Sequence, residues 1–132
     1  MKALNKKAAA LFAACVADLM KPGESRRIGD AASGFMPLDV ECIGTWQSCR
    51  VVSLAHYAEQ NGDPMRDPEI TFLVGPKGDV FPLTYRNDFV GVDQVAAEPN
   101  DEGGWNYHKK LQQDLVYFAQ DWLRNIAAQQ GL

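Results

Sequence analysis

At 132 residues, with 46% apolar and 23% charged side chains, the chain has the composition of a single globular domain, which excludes a disordered segment. Its 13 basic and 17 acidic residues leave a formal charge of −4, a balance that argues against nucleic-acid binding as the main role. A domain of this length buries roughly two-thirds of its unfolded surface, so folding demands no disulfide or metal staple.

The charge is unevenly placed. Residues 1–35 carry Lys2, Lys6, Lys7, Lys21, Arg26 and Arg27 against Asp18, Glu24 and Asp30, so a basic N-terminal part precedes an acidic body. The plain reading is a solvated lysine face on a helix, and a docking site for an acidic partner is the alternative. Cys15, Cys42 and Cys49 have no metal-ligand spacing and are odd in number, which reads as reduced thiols in a cytoplasmic protein.

The first element is a helix within residues 1–21, running from about Leu4 to Met20. Leu4, Leu11, Phe12, Cys15, Val16 and Leu19 recur at helical spacing with the lysines opposite. Basic residues ahead of an alanine-rich run imitate a signal peptide, but the run is short and Asp18 interrupts it. No stretch approaches the roughly 20 apolar residues of a membrane span. Lys21-Pro22-Gly23 ends the helix, and residues 22–35 read as a linker.

From Met36 the apolar period becomes two, and residues 36–95 read as sheet. Leu38, Val40 and Cys42 mark a half-buried strand, and Gly44 to Ser48 turns the chain. Arg50 to Tyr57 is apolar on both faces for most of its length and is placed centrally. A polar loop then leads to a strand at Ile70, Phe72 and Val74, and Gly75-Pro76-Lys77-Gly78-Asp79 is a hairpin turn. Val80 to Tyr85 returns, with Pro82 demanding an edge or a ladder-free position. Phe89 to Val95 adds a short fifth strand, and residues 96–104 read as an acidic loop. The closing helix covers residues 105–129, with Leu111, Leu115, Phe118, Trp122 and Ile126 on one stripe and Gly131 as the stop. The whole is an α+β fold: a four- to five-stranded antiparallel meander packed on one face by an N-terminal and a C-terminal helix.

Distinctive polar chemistry concentrates between His56 and Glu69. His56, Asp63, Asp67 and Glu69 could serve a divalent metal or acid–base chemistry, although the spacing fits no known metal motif. The structural reading is concrete: Asn61-Gly62-Asp63-Pro64 and Asp67-Pro68 are turn formers. Strand register brings Tyr85, Arg86 and Asp88 to the same sheet end, where Arg66 and Arg86 either pair with Asp63, Asp67 and Asp88 or hold an anion. The candidate binding set is therefore His56, Tyr57, Glu59, Asn61, Asp63, Arg66, Asp67, Glu69, Tyr85, Arg86 and Asp88. No nucleophile elbow, phosphate loop or zinc-protease motif occurs.

Pro37-Leu38-x-Val40-Glu41 and His56-Tyr57-x-Glu59-Gln60-Asn61-Gly62-Asp63-x-Met65-Arg66-Asp67-Pro68-Glu69 resemble a family of bacterial domains without assigned activity. These occur on plasmids, conjugative elements and phage-like islands. The resemblance continues through Phe81–Gly91 and Leu111–Ile126; it departs at Ala58 and Pro64, where the family carries Tyr and Leu. It implies a small cytoplasmic domain of a mobile genetic element and supplies no catalytic residues. The expectation is an interaction module without enzymatic activity, cofactor or metal, which meets a protein partner such as a host defence or element-maintenance protein. A homodimer stays open. The alternative is a small metal-dependent or acid–base hydrolase built on His56, Asp63, Asp67 and Glu69.

Overall fold

The computed structural model of the chain describes residues 1–17, 19 and 21–132. Helix α1 (Lys6–Val16) begins where the Asn5 side chain accepts the Ala8 amide at 2.8 Å, an N-cap bond that satisfies an orphan donor of the first turn. It starts later than Leu4, and the expected end at Met20, with Asp18, lies outside the described residues. Ala8, Phe12, Cys15 and Val16 form its buried stripe.

The stretch 22–35 is more than a linker. It contains strand β1 (Ser25–Ile28), which pairs antiparallel with the first half of β2 (Leu38–Trp46). An edge strand has a single neighbour and needs few apolar residues, so Ser-Arg-Arg-Ile gives little sequence signal. A 3-10 turn at Ala31–Ser33 separates the two.

Strands β3 (Cys49–Gln60), β4 (Asp63–Val74), β5 (Val80–Asn87) and β6 (Val92–Val95) complete one antiparallel sheet in strict chain order. The sheet thus has six strands, more than the four or five expected, and β1 is the addition. β3 is interior and buried on both faces at Val52 to His56, as its continuous apolar run predicted. The β2–β3 turn is tighter than the Gly44–Ser48 span: only Gln47 and Ser48, both at positive φ, connect the strands. The Gly75–Asp79 hairpin closes with the Gly75 amide donating to the Asp79 carbonyl at 2.7 Å. Pro82 lies opposite Phe72 beside a register shift of the β4–β5 ladder and before β6 begins to pair at Thr84, so β5 has a single strand neighbour there.

Residues 96–104 also depart from the loop reading. Strands β7 (Ala97–Pro99) and β8 (Trp105–Tyr107) form a two-stranded ribbon. Helix α2 (Lys109–Gln130) consequently starts later than Trp105. His108 is its N-cap, with Nδ1 accepting the Leu111 amide at 3.1 Å, and Gly131 ends it at φ 70° by donating to the Ala127 carbonyl.

Two apolar layers follow from the alternation of strand side chains. On one face Leu38, Val40, Val52, Leu54, Ile70 and Phe72 pack against both helices, with the Phe12 and Phe72 ring centroids 4.9 Å apart. On the other face Val51, Leu73 and Phe81 are covered by the ribbon, where Trp105 meets Trp46 at 5.1 Å. The ribbon covers only that half. Gln112 is a buried polar residue with every bond accounted for: its side chain accepts the Lys2 amide at 2.9 Å and donates to the Lys2 and Pro82 carbonyls at 2.8 and 3.3 Å. Replacing it with methionine keeps the volume and strands those groups, so Gln112→Met should lower unfolding free energy by roughly 1–3 kcal/mol in urea titration. A change near zero would show that the N-terminal segment is held by its apolar contacts alone.

Candidate functional site

β3 and β4 outrun their neighbours. β2 pairs with β3 no further than Leu38 opposite His56, and β5 pairs with β4 no further than Arg86 opposite Glu69. Beyond these points the pairs Tyr57–Arg66, Ala58–Met65, Glu59–Pro64 and Gln60–Asp63 continue as a two-stranded arm. Its tip is Asn61-Gly62, at φ 53° and 85°, the two positive values that a two-residue hairpin turn with the twist of the strands requires. The expected polar loop is thus mostly strand, and its Asn-Gly is the turn. Residues 59–64 are all exposed.

Polar side chains converge at the root of this arm. Asp88, just past β5, accepts the Arg66 amide on its carboxylate at 2.8 Å, while its own amide donates to the Arg66 carbonyl at 3.0 Å. Arg66 Nη1 lies 3.5 Å from Asp88, and Arg86 donates to Asp88 at 3.1 Å. Glu69 lies 3.4 Å from Arg66 Nε and accepts the Ser53 hydroxyl at 2.7 Å. Asn87 donates to Asp67 at 3.0 Å. The Arg66 amide, and to a lesser extent Arg86 and Arg66 side chains, hold the Asp88 carboxyl below its ordinary 3.8 against the opposing effect of burial. Tyr57, on the same outer face, is pushed above its ordinary value by burial and then by Glu69, with Arg66 opposing. Beside Tyr57 a groove of about 300 Å³ opens on this face, lined by Arg27, Asp39, Glu41, Ser53 and Ala55 among others.

The candidate residues therefore divide. Arg66, Asp67, Glu69, Arg86 and Asp88 meet at the root, and arginine–carboxylate pairing accounts for both arginines. Glu59, Asn61 and Asp63 stand on the solvated arm. Tyr85 points to the opposite face and meets Phe118 edge-on at 5.3 Å, because alternation along β5 sends Tyr85 and Arg86 to different sides. His56 also leaves the polar set: it is buried against Trp122, with ring centroids 5.3 Å apart. His56, Asp63, Asp67 and Glu69 consequently do not form one cluster, and among the described residues no group of three or more His, Cys, Asp or Glu is placed to hold a metal. Ser53 and Asn87 belong to the root and were missed. The cross-strand pairing of Ala55 with Glu69 could have found Ser53, which lies on the same face.

A family model described as a domain of unknown function, DUF6908, matches residues 10–132. The chain belongs to the DUF6908 family. No curated protein and no solved structure matches it. The match takes in the sheet, the arm and α2, so the site geometry lies inside the family domain. Among the described residues no helix is long and apolar enough to cross a membrane. Cys15 and Cys42 are buried and Cys49 is half-buried, all as free thiols; burial pushes the Cys15 thiol up to about 11, against the influence of Arg26.

Two outcomes test this geometry. Among the described residues His56 Nε2 is buried without a hydrogen-bond partner, and burial pulls the imidazole below its ordinary 6.5, with Asp67 and Asp39 opposing. The native state then binds the proton more weakly than the unfolded chain. The His56 contribution to stability should be constant above about pH 6.5 and decline as pH falls below it. Comparing His56→Phe with the parent chain in urea titrations across pH 5–8 should show a smaller acid loss in the variant; equal slopes would place the proton elsewhere. Asp88→Ala should loosen the arm while sparing the core. Limited proteolysis at Arg66, the basic residue of the arm, should accelerate at least about tenfold while the urea midpoint moves little. Equal acceleration at sites throughout the chain would contradict the clamp.

Proposed function

We propose that this chain is a non-enzymatic protein-interaction module whose contact element is the β3–β4 arm. The observation that carries this reading is the arm itself, four residue pairs extending beyond the last partners on both flanking strands. A free two-stranded hairpin of this size is marginal in water, so its backbone order has to come from the root. The Arg66–Asp88 pairing supplies that order, and residues 59–64 add nothing to either apolar layer. An ordered, solvated projection with a polar clamp beneath it suits capture of another macromolecule better than enclosure of a substrate.

Charge sets the class of partner. Glu59 and Asp63 lie on the arm, and its one base, Arg66, is engaged by Glu69 and Asp88. The free charge of the arm is acidic, as is the chain, and a basic protein surface is its complement. The resemblance to domains carried on mobile elements supports a host or element-maintenance protein as the bearer of that surface. A photo-crosslinking residue at Gln60 should yield a discrete adduct in native cells, and one at Arg124 on α2 should not. Adducts from Arg124 with none from Gln60 would move the contact to the helices and overturn the assignment.

A further inference from the structure

We infer that the arm binds by strand addition, with an extended basic segment of the partner pairing along the open edge of β3 at Tyr57–Gln60; this rests on the arm being the contact element. The Asn61-Gly62 turn makes Gln60 and Asp63 a mutually hydrogen-bonded pair, and antiparallel ladders alternate bonded and non-bonded pairs. Glu59–Pro64 and Tyr57–Arg66 are then the non-bonded pairs, whose backbone groups point outward. The Arg66 amide and carbonyl confirm the phase, since both turn away from β3 to bond Asp88.

The two edges of the arm differ. On the β4 side Asp88 occupies the outward groups of Arg66, and Pro64 has no N–H to offer, so that edge is closed to a new strand. On the β3 side the Glu59 N–H and C=O point into the space beyond the end of β2. Glu59 and Gln60 are exposed, and among the described residues no backbone bond joins residues 57–60 to anything outside the arm. One edge is blunted and the other is not.

The side chains along the open edge select the occupant. Added strands gain affinity from the backbone ladder and specificity from alternate side chains. Glu59 and the exposed Gln60 stand on this edge, and the neighbouring 300 Å³ groove adds Glu41 beside Tyr57. Its Asp39 is held by Arg27 at 2.8 Å and Arg26 also lines it, so Glu59 is the charge that selects the occupant. A segment alternating lysine or arginine with β-branched residues matches that row. A second copy of the chain does not, because pairing edge to edge about Glu59 would bring the two carboxylates together.

The test uses the full chain and a short capped peptide alternating valine and lysine, with a valine–glutamate peptide as control. On binding, the Glu59 amide should become protected from hydrogen exchange. Glu59→Pro removes the outward N–H and leaves the β3–β4 ladder intact, because that N–H is not part of the ladder, whereas Glu59→Gln removes only the charge. Glu59→Pro should weaken the lysine peptide roughly fivefold to tenfold more than Glu59→Gln does, about the net worth of a backbone hydrogen bond or two. Equal weakening by both variants, with the Glu59 amide still exchanging freely, overturns strand addition and leaves a side-chain contact on the arm. Peptide-induced protection confined to residues outside the arm overturns the inference, and the Gln60 crosslink then decides the contact element separately. Concentration-dependent dimerisation that protects Glu59 without peptide would replace the basic segment with a second copy.

Discussion

The reciprocal bonds between Arg66 and Asp88 mark where the sheet ends and the arm begins. On the core side of this point each interior strand has two neighbours and an apolar face to bury. On the far side two strands have only each other. Such a pair keeps its shape only if its base is fixed, and here the chain after β5 fixes it with one carboxylate and one amide. Glu69, Ser53, Arg86 and Asn87 then anchor the groups that make the clamp. The polar residues of the sheet end are thus explained by mechanics first, and their consequence for function is the ordered projection they hold.

The same arrangement separates the two faces. The helix-side face is apolar almost to the end of the sheet, and even His56 is drawn into it against Trp122. The outer face is apolar only under the β7–β8 ribbon and becomes charged beyond it, from Asp39 and Glu41 across to Glu69 and Arg86. His56 lies on the helix-side face while Glu69 lies on the outer one, and among the described residues no three His, Cys, Asp or Glu side chains are placed to share a metal. Contact chemistry at the outer face and arm meets no such obstacle.

How much of this was legible beforehand follows from which residues carry the signal. Helix α2, the Gly75–Asp79 hairpin and the interior position of β3 were readable because Trp122, the glycines and the unbroken Val51–Ala55 run each admit few alternatives. β1 and the ribbon were hidden, since edge strands with one neighbour need little apolar content and Ser25–Ile28 or Ala97–Pro99 show almost none. The polar stretch drew attention for sound reasons, but its Asp and Asn residues suggested a loop, where strand pairing around Asn61-Gly62 in fact extends. The convergence of Arg66 with Arg86 and Asp88 followed from register. The turning away of Tyr85 did not, because it depends on the face β5 presents after its bulge. His56 shares the face of Val52 and Leu54 in a strand whose run is apolar on both faces and so gave no cue to which face the helices cover.

Amide hydrogen exchange of the free protein tests the central claim most directly. An ordered arm with one open edge should show slowed exchange at Ala58, Gln60, Met65 and Arg66, whose amides are bonded within the arm or to Asp88, with Glu59 exchanging near the unprotected rate between them. Uniformly fast exchange from residue 57 to 66 would contradict an ordered arm. Protection of Glu59 equal to that of Ala58 would show that the edge is already occupied.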